Sequence, residues 1–135
     1  MNGLAHSVRD KLVDDALIKA MKRNETWQMA ATLSREASMF IYGYKVPFVD
    51  DPFFKTSVSA NVINVIETLK SASYQAKIKA DPEFSRYRDF LNTAEKNLKR
   101  LADAGVRYGF GTDTGPPSRF PGYFEHWEME LMVEA

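Results

Sequence analysis

His6 and Asp113 are the two residues of this chain whose types could do chemistry together. A neutral imidazole binds a metal, and a carboxylate can bind one or take a proton from water. Asp113 sits in Gly-Thr-Asp-Thr-Gly, where glycines at 109, 111 and 115 let other backbone or a ligand come close. Plainer readings stand beside these. His6 reads equally as a polar loop residue, and Asp113 as an Asx-turn residue in a Gly/Pro loop. Arg9 and Arg35 could hold an anionic substrate, although solvated loop arginines are the commoner outcome. His126, in Phe-Glu-His-Trp-Glu, is either a helix-surface histidine beside acids or a substrate contact. Cysteine is absent, which excludes disulfides, thiolate metal sites and a cysteine nucleophile.

Placing these groups is the task of the surrounding elements. Asn2 to Ala5 reads as a very short strand ending at His6, followed by a polar loop from Ser7 to Lys11. Asp14 and Asp15 precede apolar residues at helical spacing (Leu17, Ile18, Met21), with Lys22, Arg23 and Asn24 suited to the helix end. Thr26 to Leu33 is short and mostly apolar, and the pattern predicts a buried strand. Ser34 to Asp51 predicts an irregular aromatic segment with a short helix. Asp51-Pro52 and Asp81-Pro82 each predict a helix start. Val58, Val62, Ile66 and Leu69 share one helical face after the first. After the second, a stripe runs through Phe84, Tyr87, Leu91, Ala94, Leu98 and Leu101 to a left-handed cap at Gly105. Val106 to Thr112 predicts a strand feeding the Asp113 loop, and Tyr123 to Ala135 a final helix. Three parallel strands with helices between them put His6 and Asp113 at strand C-terminal ends, where α/β proteins keep their chemistry.

Composition bounds the function. At 135 residues the chain suits one domain, and 44% hydrophobic residues are enough for a core. Eighteen basic residues balance eighteen acidic ones, so neither a nucleic-acid partner nor a membrane surface is favoured. No apolar run is long enough to span a bilayer, and MNGLAHSVRDK does not read as a signal peptide.

Three stretches carry a resemblance: LAHSVRDKLVDDALI, TWQMAATLSREASMF and LADAGVRYGFGTDTGPPSRFPGYFEHWEMELMVEA. They resemble successive pieces of a metal-dependent amidohydrolase, in the branch of imidazolonepropionase-like and Xaa-Pro dipeptidase-like enzymes. The likeness is loosest between residues 46 and 95. It implies an α/β fold, a partial (β/α)8 TIM barrel of about the last three βα units. Residues 1–135 would form the C-terminal portion of the catalytic barrel, and the length and aromatic content of 43–80 predict a helical lid inserted between the second and third strands. It implies that His6 matches the sixth-strand histidine, binding metal or substrate. Asp113 would match the eighth-strand aspartate, which binds metal and accepts a proton from the attacking water. The cofactor implied is a divalent metal, zinc in the first instance. The family's His-x-His, its metal-bridging residue and its fifth-strand histidine have no counterpart here, so the metal site is incomplete in this chain.

The expectation is therefore a fragment of a hydrolase that cleaves C–N bonds in small amides, peptides or cyclic amides, inactive by itself. Its partners would be the missing N-terminal barrel half or a second copy of itself. A truncated gene and an internal Met1 both fit. The cytoplasm is the default compartment, with a secreted or periplasmic parent open. The alternative is a non-catalytic helical interaction module using the Phe84–Leu101 stripe.

Overall fold

Helix dominates, at 59% of the chain. The structure is a computed structural model describing residues 3–135, the side chains of residues 47 and 63 excepted. Asn2, which opens the expected first strand, lies outside the described residues.

The helices begin and end where side chains satisfy their free backbone groups. Helix α1 (Asp15–Arg23) starts at Asp14, whose carboxylate accepts from Leu17 N at 2.8 Å, and stops at Asn24. Helix α2 covers Leu33–Ile41. A 3-10 turn (Pro47–Asp50) leads to α3 (Pro52–Ser57), capped by Asp51 as its Asp-Pro pair predicts. A second 3-10 turn (Ala60–Val62) precedes α4 (Ile63–Lys70) and α5 (Ala72–Lys79). A third (Phe84–Arg86) leads into the long α6 (Tyr87–Asp103), which ends beside Gly105 at φ 71°. Helix α7 covers Tyr123–Glu134. Among the described residues no helix is long and apolar enough to cross a membrane.

The apolar stripe of α6 packs inward. Tyr87, Phe90, Leu91, Ala94 and Leu98 join Leu33, Ala37 and Phe40 of α2 and Leu131 of α7 in one cluster. The lower end of α6, at Leu101, packs with Ile18 and Met21 of α1 and with Val106. A third cluster gathers Tyr42, Phe48 and Phe54 with Leu69, Phe120 and Phe124, so the 43–80 segment is helical and seats on the start of α7.

The partial (β/α)8 TIM barrel is not what the chain forms. Among the described residues there are only two strands, β1 (Gly3–Leu4) and β2 (Trp27–Gln28), paired in parallel. The expected strand at 26–33 gives way to helix at Leu33. The one expected at 106–112 contributes a single parallel bridge, Gln28 to Tyr108. The physical reason lies in the side chains. Buried Gln28 donates through Nε2 to His6 O (2.8 Å) and Ala30 O (2.9 Å). The Ser7 hydroxyl donates to Ala31 O, and Ser7 N donates to Thr32 Oγ1 at 3.2 Å. These bonds take carbonyls and donors that a regular ladder would use. Some strand-like pairing survives beside them: Met29 N donates to Leu4 O, Gly109 N to Gln28 O and Thr32 N to Gly111 O. Three extended segments thus run side by side in parallel without becoming a sheet of several strands.

Candidate functional site

The first parallel segment ends at His6 and the third at Asp113. Gln28 fixes the His6 carbonyl, and Thr32 fixes the amide of Ser7 after it. The loop that follows is held by Asn97, buried on α6. Its Oδ1 accepts from Val13 N, and its Nδ2 donates to Val8 O and Lys11 O, each at 2.8 Å. The His6 side chain itself is exposed.

Asp113 stands at φ 55°, in the left-handed region that short polar residues tolerate. The residues on either side of it are clamped. Thr112 and Thr114 both donate their hydroxyls to Glu125 Oε1, at 2.8 and 3.0 Å, while Glu125 Oε2 accepts from Gly122 N at the start of α7. Burial opposes ionisation of Glu125, yet those bonds outweigh it and its carboxyl lies below the usual range. The Asp113 carboxylate is turned by two guanidiniums. Arg119 Nη1 donates to Oδ2 at 2.7 Å, and Arg35 Nε lies 3.2 Å from the same oxygen. The Arg119 hydrogen bond chiefly holds the Asp113 carboxyl below its usual range. Partial burial works against this, and the charges of Arg119, His6 and Arg35 add to it.

Arg35 continues the network by donating to Glu36 Oε1 at 2.6 Å, and Arg9 reaches Glu36 from the other side. Glu36 is 1% exposed, so its charge is met by two arginines, as burial demands. Arg9 also stacks on Phe90, 5.0 Å from the ring centroid. The structure thus joins Arg35 to Asp113 and, through Glu36, to Arg9, while His6 acts on Asp113 only through its charge. It does not bring His126 to them. That residue is exposed on α7, edge-on to Phe53 with centroids 4.8 Å apart.

Glu36, Arg119, Glu125 and Gln28 were missed as site residues by sequence reasoning. For Glu125 a signal existed: it follows Gly122 by three residues, the spacing of a carboxylate that reaches back to a helix start. The others depend on contacts far apart in sequence. Among the described residues no group of three or more His, Asp or Glu side chains is placed to hold a metal ion. No known family profile, curated protein or solved structure matches the chain.

Proposed function

We propose that this chain supplies two groups of a metal-dependent hydrolase site that cleaves a C–N bond in a small amide, peptide or cyclic amide. The observation that carries the reading is that His6 and Asp113 follow parallel segments at the same end, with Arg119 and Arg35 holding the Asp113 carboxyl below its usual range. In parallel sheets that end collects ligands and chemistry. The resemblance to amidohydrolases assigns the same two residues.

One imidazole and one carboxylate suit a divalent cation, zinc first. They make about half of a set, since a hydrolytic zinc takes about three protein ligands and an open position. The remaining ligands would come from another part of a longer parent or from a second copy. Such a metal would supply Lewis acidity toward the attacking water. Both guanidiniums engage Oδ2, so Oδ1 is the oxygen that would meet ligand and water. Asp113 then accepts the proton of the attacking water and returns it to the leaving nitrogen. Arg119 and Arg35 orient that carboxylate, and Glu125 holds the backbone on both sides of it.

Titration of zinc into the 135-residue chain by calorimetry tests the reading. One weak site is expected, lost in His6→Ala and in Asp113→Ala. Absence of binding, or binding that survives both substitutions, would overturn it. The chain alone is expected to show no turnover of dipeptides with zinc added. The interaction-module reading loses its support, because the Phe84–Leu101 stripe is spent inside the chain's own core.

A further inference from the structure

A cavity of about 330 Å3 opens between the start of α3 and α7, outside the His6–Asp113 pair. That volume lies at the small end of ordinary ligand sites, which run from about 300 to 1,000 Å3. Phe53, Tyr123, His126 and Trp127 form its walls. Phe53 lies 6.1 Å from Tyr123 between centroids and 4.8 Å edge-on from His126, so these three rings converge. Tyr123 and Trp127 are anchored in the aromatic core. Tyr123 packs edge-on against Phe54 and Trp127 edge-on against Phe124, each with centroids 5.2 Å apart. These two walls are thus set before any ligand arrives.

Two carboxylates, Asp51 and Glu130, complete the lining, and no Lys or Arg belongs to it. Both act on one ring: burial pushes the Tyr123 hydroxyl up, and the charges of Asp51 and Glu130 push it further. Asp51 Oδ1 accepts from Phe53 N at 2.8 Å, a bond that leaves its charge unneutralised. Lys55 of α3 faces Asp50 at 4.0 Å; neither is in the lining, and the two cancel. Among the described residues neither Asp51 nor Glu130 has an ion-pair partner. Aromatic faces attract a cation through the ring quadrupole, more strongly when it sheds its water. A bare divalent metal would ask for oxygen ligands all round, which two carboxylates among rings do not provide. A primary ammonium is strongly hydrated and gains less. An alkylated ammonium combines a positive charge with an apolar skin.

We propose that this cavity binds a small quaternary ammonium ion. Its methyl groups lie against Phe53, Tyr123 and Trp127, and its charge is met by Asp51 and Glu130. The proposal goes beyond the hydrolytic reading and uses none of its residues.

NMR titration of the isotope-labelled 135-residue chain with choline tests it, at about pH 8, where imidazoles are ordinarily neutral. The control is choline's neutral carbon analogue, in which tert-butyl replaces trimethylammonium, and ionic strength is held constant with sodium chloride. The signal followed is the Trp127 indole N–H, left alone in a Trp27→Phe background. Choline is expected to shift it and to bind at least about fivefold more tightly than the analogue. Glu130→Gln and Phe53→Leu should each lower choline affinity about twofold or more and leave the analogue unchanged. Glu130 and Phe53 are exposed, so both variants retain the fold, which far-UV circular dichroism checks. Equal affinity of the two ligands, choline binding unchanged in either variant, or no shift with choline in large excess would overturn the proposal. So would tighter binding of a trimethyllysine peptide than of choline, which would make the ion part of a protein partner.

Discussion

Asp113 combines a left-handed backbone with a carboxylate shared by two arginines, and both features bear on how it titrates. Its pKa in the folded chain is below the ordinary 3.8. An acid with a depressed pKa adds stability above its unfolded-state pKa and loses it as pH falls through the folded value. The window therefore opens near the ordinary value and extends below it. Asn tolerates the same backbone and cannot ionise. Thermal melts between about pH 5 and pH 3 should show a smaller fall in Tm for Asp113→Asn than for the wild type. Equal falls in the two proteins would remove the claim that the Arg119 and Arg35 contacts hold the charge. Because the carboxylate is well exposed, the effect is small and should shrink further in salt.

At the scale of elements, two joints depend on single residues. Helix α2 starts at Thr32, which lies at φ 53° and gives no side-chain cap. The cap comes from α7 instead. Buried Glu128 accepts from Leu33 N (2.9 Å), Ser34 N (2.7 Å) and Ser34 Oγ (2.6 Å). Burial pushes the Glu128 carboxyl up despite those bonds. Glu128→Ala strands two buried amides and should cost about 2 kcal/mol, read from urea midpoints at unchanged slope. Glu128→Gln keeps one acceptor and should cost less; a larger loss than Ala would contradict the capping role. The second joint is Gly109, where an added Cβ would stand 2.5 Å from Met29 O. Backbone must shift to admit it, so Gly109→Ala should destabilise by about 1–3 kcal/mol, measured in the same way. Neutrality at that position would mean that the second and third segments are not in close contact.

The whole molecule exposes more than a folded chain of its mass normally does. Its accessible surface is 7926 Å2 at 15.4 kDa, against about 7,200 Å2 from the usual scaling. Trp27, Met29, Tyr108 and Phe110, which flank the parallel pairing, are 41–59% exposed. The backbone bonds of the third segment run from Arg107, Gly109 and Gly111 toward the second. Its opposite edge, at Tyr108 and Phe110, is thus turned away from that pairing. Exposed edges with apolar side chains invite pairing with another chain. Sedimentation velocity should show association that grows with concentration, weakened in the Tyr108→Lys, Phe110→Lys double variant. A monomer at all concentrations, or association indifferent to both lysines, would count against this edge.

Local chemistry was legible in the residues themselves. Asp14, Asp51 and Gly105 mark helix ends because a side-chain acceptor or a missing Cβ acts within a few residues. The inward stripe of α6 follows from helical spacing, which one element contains in full. The parallel order of three extended segments followed from their alternation with helices. Their length did not, because a strand exists only as far as its neighbour completes it. Gln28 and Ser7 divert that neighbour's carbonyls, and Thr32 its amide, from 22 to 25 residues away. Likewise His6 and Asp113 could be named as candidates from type and position. That Asp113 meets Arg35 and Arg119, that Glu125 clamps its loop, and that His126 lies elsewhere were decided only when α2, α7 and the 43–80 helices packed together. Electrostatic and hydrogen-bond partners separated this far in sequence are chosen by packing, and no local pattern encodes them.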